Sequence, residues 1–294
     1  MLRVYRGIND DRIFANAAAV TFYALLAVFP GIAALVSIYA LFADPHVIAS
    51  HLDSLAGVLP GGALDVVRDQ LQRLTSQPSS KLGIGLLVSL GISLWSANGG
   101  IKALFDALNV VYEEKEARGF FRLNATSLGF TAGLIGFVLL AIAALVAVPA
   151  VMAYFPSALA EMLDYARWPV LLVLVALALS LIYRYGPSRR KPQWRWVSWG
   201  SALAAIGWLG ASALFSWYAA NFGSFNKTYG SLGAVIGFMM WIWLSAIVVL
   251  AGGKLNAEIE HQTARDSTEG RPKPPGARAA KMADTLGPPQ DGWG

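Results

Sequence analysis

The sequence predicts an all-α protein, a polytopic bundle of transmembrane helices with about six spans. Of its 294 residues, 56% are hydrophobic and only 14% are charged, whereas a soluble domain carries about a quarter charged residues. The apolar residues also fall into long blocks, and roughly 20 such residues cross the hydrocarbon layer as a helix. The absence of cysteine excludes a disulfide framework, a cysteine zinc site and a thiol nucleophile.

Six apolar blocks qualify as spans. They cover residues 15–42, 82–101, 125–153, 168–185, 197–220 and 232–251. We expect the first block to be retained rather than cleaved, because Asp10 and Asp11 precede it and no small-residue cleavage site follows a short core.

The distribution of Lys and Arg predicts the orientation. The segments before span one and after spans two, four and six hold 17 of these residues, and the alternate loops hold 5. Since Lys and Arg are enriched in cytoplasmic loops, both termini are predicted in the cytoplasm. The predicted location is the bacterial inner membrane, crossed several times.

The chain divides into one transmembrane domain and a tail. We predict that residues 1–262 form the domain and that residues 263–294, rich in Pro, Gly and charge, form a disordered cytoplasmic tail. Between spans one and two, residues 44–81 show apolar side chains at helical spacing. They are expected to form short amphipathic helices on the outer face, which either cover the bundle or gate it.

Aromatic and basic side chains mark the predicted ends of the spans. Trp194, Trp196 and Trp199 follow the run Arg189–Lys191, a combination that the lipid headgroup region favours. Membrane lipids are therefore the expected partners. The basic charge lies in short connectors rather than on a folded face, so no nucleic acid is expected.

A polar stripe at the end of span two is the candidate substrate pathway. It consists of Asn98, Lys102, Asp106 and Asn109, three or four residues apart and hence on one face of a helix. Such a stripe could line a hydrated entrance. The alternative is that it is the cytoplasmic end of a long helix, with a Lys–Asp pair reaching water.

A second set of candidates lies around the start of span six. The loop residues Asn226, Tyr229 and Gly230 suit tight turns, and Gly233 and Gly237 suit close helix packing. Small residues in span five predict the same packing role: Gly200, Ala204, Gly207 and Ala211. Lys254 and Glu258, just past span six, are interpreted as an interfacial anchor.

Catalytic and nucleotide-binding motifs are missing from the sequence. It contains no Walker A, GxSxG, His-Glu-x-x-His or dinucleotide signature. His46 and His51 are five residues apart, which does not suit a helical metal pair. We therefore expect no enzyme activity, no cofactor and no metal, and an ATP-driven pump within this chain is disfavoured.

One long stretch resembles the terminal signature of the YihY/BrkB membrane family: YGSLGAVIGFMMWIWLSAIVVLAGGKLNAEI at residues 229–259. Supporting matches are ALLAVFP at 24–30, ALNVVY at 107–112 and YRYGP at 183–187, and the resemblance covers residues 10–262. Lys254 stands where the family pattern has a small residue. The resemblance implies six spans with both termini inside, and a role in envelope integrity, serum resistance or export. It also implies that the old family label, ribonuclease BN, is a misassignment.

Three functions remain open from the sequence. The first is transport or export of an amphipathic or anionic substrate, such as a lipid or another small molecule, without ATP. The second is a scaffold that organises envelope machinery without transport. The third is a membrane-bound ribonuclease acting on transfer RNA, which the missing nuclease motifs disfavour.

Overall fold

The computed structural model describes residues 7–39, 82–152, 157–222 and 232–287. These residues form six long helices and one single turn: α1 (Ile13–Tyr39), α2 (Leu82–Val111), α3 (Phe120–Met152), α4 (Ser157–Tyr185), α5 (Trp194–Phe222), α6 (Leu232–His261) and α7 (Lys281–Asp284). Within the described part there is no β-strand, and the only extended pairing is an isolated bridge between Pro192 and Thr268. The prediction of an all-α fold is confirmed.

Four of the helices are long and apolar enough to cross a membrane. The qualifying segments are Ile13–Leu35, Phe120–Leu140, Trp194–Tyr218 and Val235–His261, and Pro169–Tyr185 is apolar but shorter. Large apolar side chains point outward from these helices, as Leu140 and Leu214 do with 72% and 70% exposure. Such outward-facing side chains suit lipid as the surrounding solvent. The polytopic bundle is confirmed, while the count of six spans stays a prediction.

Small residues allow helices α5 and α6 to approach each other closely. A Cβ atom on Gly252 would lie 2.6 Å from the Ala204 Cβ, and one on Gly200 would lie 2.5 Å from the Asn256 side chain. Helix α1 meets α2 in a similar way at Gly100, where an added Cβ would lie 3.3 Å from Ala24 Cα. The packing role predicted for the small residues of α5 is therefore found at Gly200 and Ala204.

The packing role predicted for Gly237 at the start of span six stays a prediction. A Cβ atom there would meet no atom of the described chain within 4 Å. The close contact of α6 lies instead near its other end, at Gly252, because Gly200 of α5 is opposite that position. Gly233 lies in the first turn of α6, and Asn226, Tyr229 and Gly230 lie outside the described residues, as does the amphipathic insertion at 44–81.

The C-terminal segment corrects the prediction of disorder. Residues 262–287, here called the strap, pack along residues 186–193, here called the basic connector, between α4 and α5. The Gln193 amide donates to the Ser267 carbonyl at 2.8 Å, and the Glu269 amide donates to the Lys191 carbonyl at 2.9 Å. Met282 of the strap is buried. The prediction of disorder is therefore wrong for residues 263–287. Their sequence has no apolar periodicity, but backbone hydrogen bonds to the basic connector hold them in place. Residues 288–294 lie outside the described chain.

Candidate functional site

Charged segments that are far apart in the sequence meet at one end of the bundle, here called the charged end. Lys254 Nζ of α6 lies 2.9 Å from the Asp11 carboxylate, ahead of α1. The Lys281 amide of the strap donates to the Glu114 carboxylate at 2.6 Å. The four segments in which Lys and Arg are concentrated, before span one and after spans two, four and six, thus lie at one end of the bundle. Their cytoplasmic location stays a prediction.

A buried ion pair joins the basic connector to the end of α6. The Arg189 guanidinium donates to both oxygens of Glu260, at 2.6 and 2.9 Å, and the two side chains are 0% and 2% exposed. The Ser267 hydroxyl of the strap also donates to Glu260. Burial lowers the pKa of Arg189, but the Glu260 carboxylate more than offsets this and the pKa is raised. Arg189 therefore keeps its positive charge in this buried position.

The residues between α2 and α3 are held by a second Arg–Glu pair. Arg118 Nη2 lies 2.7 Å from the Glu116 carboxylate and donates to the Gly186 carbonyl at 2.8 Å. Burial raises the pKa of Glu116, yet the hydrogen bonds and charge of Arg118 outweigh it and lower the pKa to about 2. This pair fixes the segment after α2 against the end of α4.

Asn109, the stripe residue nearest the C-terminal end of α2, has a structural role. The side-chain oxygen of Asn109 accepts a hydrogen bond from the Ser188 backbone amide at 2.7 Å. The side-chain nitrogen of Asn109 donates to the Glu116 carboxylate at 3.2 Å. Asp106 is exposed, and partial burial near Glu116 raises the pKa of its carboxyl group. Asn109 therefore has partners in the basic connector and the segment after α2, and a substrate pathway along all four stripe residues stays a prediction.

Asn98 and Lys102 of α2 contact Thr131 and Asn124 of α3. We call these four residues, together with the buried Ser127 on the same face of α3, the polar seam. The Thr131 hydroxyl donates to the side-chain oxygen of Asn98 at 3.3 Å. Lys102 Nζ donates to the side-chain oxygen of Asn124 at 2.6 Å. Asn98 is fully buried. Its Nδ2 group has no hydrogen-bond partner among the described residues.

An exposed aromatic pair flanks the polar seam at Lys102. Lys102 Nζ lies 5.2 Å from the centre of the Trp95 ring, and that ring lies 6.3 Å from the Phe120 ring. Trp95 is 51% exposed and Phe120 is 64% exposed. In the described part of the chain no carboxylate lies within 4 Å of Lys102. Its ammonium group contacts the Asn124 side chain and the indole, and its charge also acts on Asp106, one helical turn further along α2.

Three seam residues were not among the sequence candidates. Asn124, Ser127 and Thr131 lie three and four residues apart within a largely apolar block. That spacing places them on one face of a helix and could have revealed a polar stripe on α3. Trp95 lies seven residues before Lys102 on the same helix, two turns along one face, so helical spacing could also have paired these two residues.

Lys254 is not the exposed anchor that the sequence indicated. It is 4% exposed and lies between Asp11, at 2.9 Å, and Glu258, at 3.3 Å. Its aliphatic stem fills the space beside Gly7, where an added Cβ would overlap it. Burial raises the pKa of Asp11, although Lys254 opposes that rise. Lys254 is therefore an internal cation that joins α6 to the N-terminal segment.

Fold and site together define a multi-pass helical protein of the inner membrane. The sequence matches the family described as Virulence factor BrkB over residues 4–277, and the chain belongs to that family. The resemblance seen in the sequence is thus confirmed, and the match extends past residue 262 into the strap.

The relatives of this chain include both long and short proteins. It is 30% identical over 251 residues to YfkH of Bacillus subtilis (strain 168), whose name calls it ribonuclease-like; the match covers 83% of this chain and 88% of that protein. It is 26% identical over 267 residues to a UPF0761 membrane protein of Neisseria meningitidis serogroup B, covering 88% of this chain but 62% of the relative. The chain thus spans about three fifths of the Neisseria protein. No solved structure matches.

Proposed function

We propose that this protein moves an amphipathic anion, with a phospholipid as the leading candidate, along the polar seam between α2 and α3. The observation that supports the proposal is the seam itself. It combines a fully buried amide with an unused donor, Asn98, and a cation, Lys102, that has no carboxylate of the described residues within 4 Å. Polar groups of this kind inside a membrane protein are by default candidates for a substrate pathway.

The chemistry of the polar seam suits a headgroup with attached acyl chains. An ammonium group binds phosphate as a compact point charge, and Lys102 has only the neutral Asn124 as a polar partner. The exposed Trp95 ring beside it offers an apolar face at the rim. A phosphate would thus meet Lys102 while its acyl chains stay against lipid-facing side chains.

The buried end of the polar seam offers a second polar contact. Leaving an amide donor unpaired in an apolar environment costs roughly 1–3 kcal/mol, and the Asn98 Nδ2 group is in that position. A passing headgroup oxygen would accept a hydrogen bond from it. Because the sequence carries no ATPase motif, the proposed movement is passive or driven by a gradient.

The proposal is tested by reconstitution of the purified protein into liposomes that contain a fluorescent phospholipid. Wild-type protein should exchange the lipid between leaflets faster than protein-free liposomes do. Replacing Lys102 by Gln removes one charge-assisted contact, so the rate should fall about tenfold. Asn98→Leu should lower the rate as well.

A matched pair of variants on α3 separates a seam effect from a general loss of helix stability. The Thr131 and Thr126 hydroxyls both donate to their own helix, at 2.9 Å each, but only Thr131 also contacts Asn98. Thr131→Val should reduce the exchange rate, and Thr126→Val should leave it unchanged. Wild-type exchange equal to that of protein-free liposomes would overturn the proposal.

The same purified protein distinguishes the two other functions. Stoichiometric cross-linked partners from the envelope without lipid exchange would favour a scaffold. The ribonuclease-like name of the Bacillus relative makes cleavage of transfer RNA the third possible result. Transfer RNA that remains intact after incubation with the protein and magnesium would exclude that activity.

A further inference from the structure

We propose that the basic connector and the strap together form a binding site for a phosphate-type oxyanion, centred on Arg190. This site lies on residues outside the polar seam, and the inference does not depend on the proposed transport. Its ligand is a tetrahedral phosphate group, from either the headgroup of an anionic phospholipid or free phosphate in solution.

Arg190 has a guanidinium group without a protein counterion. Its Nη1 atom is buried and has no hydrogen-bond partner among the described residues. No carboxylate of the described chain lies within 4 Å of it, since the ion pairs of this region involve other arginines. A guanidinium that is partly removed from water and left unpaired is unfavourable, so an anionic partner would stabilise this arrangement.

The strap positions the Arg190 guanidinium through Gly270. Gly270 has a φ of +103°, and a Cβ atom built there would lie 2.8 Å from Arg190 Nη2. Glycine is favoured at this position by its backbone conformation, and a Cβ atom there would displace the Arg190 guanidinium. The Arg190 amide also donates to the Ala279 carbonyl at 2.9 Å, so the strap contacts Arg190 at two places.

The surroundings of Arg190 carry an excess of positive charge. Arg184 and Arg189 each have one carboxylate partner, Glu269 at 3.0 Å and Glu260 at 2.6 Å. Both arginines keep a buried Nε–H group without a partner in the described chain. Lys191 lies over the Tyr185 ring at 4.8 Å and forms no ion pair with a described residue. Glu114 also acts electrostatically on Arg189, so three carboxylates face four cations, and the remaining positive charge favours an anion.

Arginine is the side chain best suited to this ligand. Its planar fork of N–H donors matches two oxygens of a phosphate, and the resulting charge-assisted hydrogen bonds are among the strongest in proteins. The neighbouring Trp194 is 50% exposed and lies 4.5 Å from the Arg184 guanidinium. An exposed indole at this position suits the headgroup layer of a membrane, so a lipid phosphate could reach the site.

The first experiment measures anion binding by the full-length protein in a neutral detergent. Thermal unfolding is followed during titration with inorganic phosphate, and in nanodiscs of phosphatidylcholine with or without phosphatidylglycerol. Wild-type protein should be stabilised in a saturable way. Arg190→Gln should weaken the affinity about tenfold or more. Arg195→Gln, which removes an exposed cation of the same region, should change it less than twofold.

A pair of glycine variants tests the site without removing a charge. Gly270→Ala and Gly276→Ala both introduce a Cβ at a positive φ, +103° and +86°, so both bear backbone strain. Only the Gly270 variant contacts Arg190, because nothing lies within 4 Å of a Cβ at Gly276. Gly270→Ala should therefore weaken anion binding, and Gly276→Ala should not.

The outcomes are distinct. Stabilisation by inorganic phosphate identifies a site open to free anions, and stabilisation by phosphatidylglycerol alone identifies a headgroup site. Either result supports the proposal if Gly270→Ala weakens the stabilisation relative to Gly276→Ala and if Arg190→Gln, where it folds, removes the stabilisation. The proposal would be overturned if Gly270→Ala and Gly276→Ala bound the anion with equal affinity. It would also be overturned if neither ligand stabilised the wild type in a saturable way. If Arg190→Gln does not fold, the comparison of the two glycine variants decides. Loss of lipid exchange with intact anion binding would affect only the transport proposal.

Discussion

The Arg189 guanidinium and the Glu260 carboxylate form two hydrogen bonds, 2.6 and 2.9 Å long, that tie the basic connector to the last turn of α6. Both side chains are almost completely buried, and the Tyr112 ring lies 4.9 Å from the Arg189 guanidinium. Such a pair is stable as a unit, but removal of one member leaves an uncompensated charge. The charged end of the bundle therefore depends on this contact more than on any exposed ion pair.

Loss of the Glu260 charge should strongly destabilise the protein. Glu260→Gln leaves Arg189 buried without a counterion, so the free energy of unfolding should fall by about 3–5 kcal/mol. Glu269→Gln is the comparison. Arg184 is also buried, but Glu269 is 58% exposed, so water can take the place of its carboxylate, and Arg184 still donates to the Pro192 carbonyl; the loss should be smaller, about 1 kcal/mol. Thermal unfolding in detergent measures both, and equal losses would contradict the prediction.

The role of Lys254 can be tested by a double substitution. Lys254→Ala leaves the largely buried Asp11 without its cation and should lower the free energy of unfolding by about 2 kcal/mol or more. Asp11→Asn in the same chain removes the unpaired charge and should restore part of the loss. A double-mutant cycle measures this coupling, and additive effects of the two substitutions would show that no pair exists.

The Glu116–Arg118 pair predicts a pH dependence with a definite sign. The pKa of Glu116 is lowered to about 2, so its carboxylate stabilises the fold above the unfolded value of 4.5. That stabilisation is lost as the pH falls through about 2. Glu116→Gln should therefore reduce stability at pH 7 by about 1 kcal/mol after allowance for solvent screening.

The difference between the wild type and the Glu116 variant, followed by unfolding curves from pH 7 to pH 2, should shrink toward the acid end. Glu114→Gln is the contrasting control. Burial raises the pKa of Glu114, so its contribution to the free energy of unfolding is lost as the pH rises through its folded pKa. The stability difference between the wild type and Glu114→Gln should therefore change with pH in the opposite direction. Parallel slopes for the two variants would refute the assignment.

Close packing of α5 on α6 makes Gly200 sensitive to the smallest side chain. In Gly200→Ala, the Cβ would lie 2.5 Å from the Asn256 side chain, which holds the Gly200 amide at 2.8 Å. The helices must separate, and we expect a loss of about 1–3 kcal/mol. Gly210→Ala on the same helix meets no described atom within 4 Å and should be neutral or stabilising by up to about 1 kcal/mol.

Asp106 provides a negative control for the transport proposal. It belonged to the predicted stripe but is exposed and forms no hydrogen bond or ion pair with a described residue. Asp106→Asn should leave phospholipid exchange within about twofold of the wild-type rate, whereas Lys102→Gln should not. Equal loss of exchange in both variants would place the pathway along the whole stripe instead of the seam.

The local sequence was sufficient for the architecture. Long apolar blocks must be helical in lipid, because only intra-segment hydrogen bonds satisfy the backbone there. The grouping of basic segments on one side and the family membership also followed from the chain alone. The family signature is carried by contiguous residues, so it needs no tertiary information.

Tertiary structure decided which polar residues meet. Lys102 and Asn124 are 22 residues apart, and Glu114 and Lys281 are 167 apart, so neither contact has a local signature. The strap illustrates the same point: its composition is typical of disorder, yet its backbone groups bond to the basic connector. Periodicity reports the face on which a side chain lies. Its partner depends on which helices and connectors pack together, and that is set by the free energy of the whole fold.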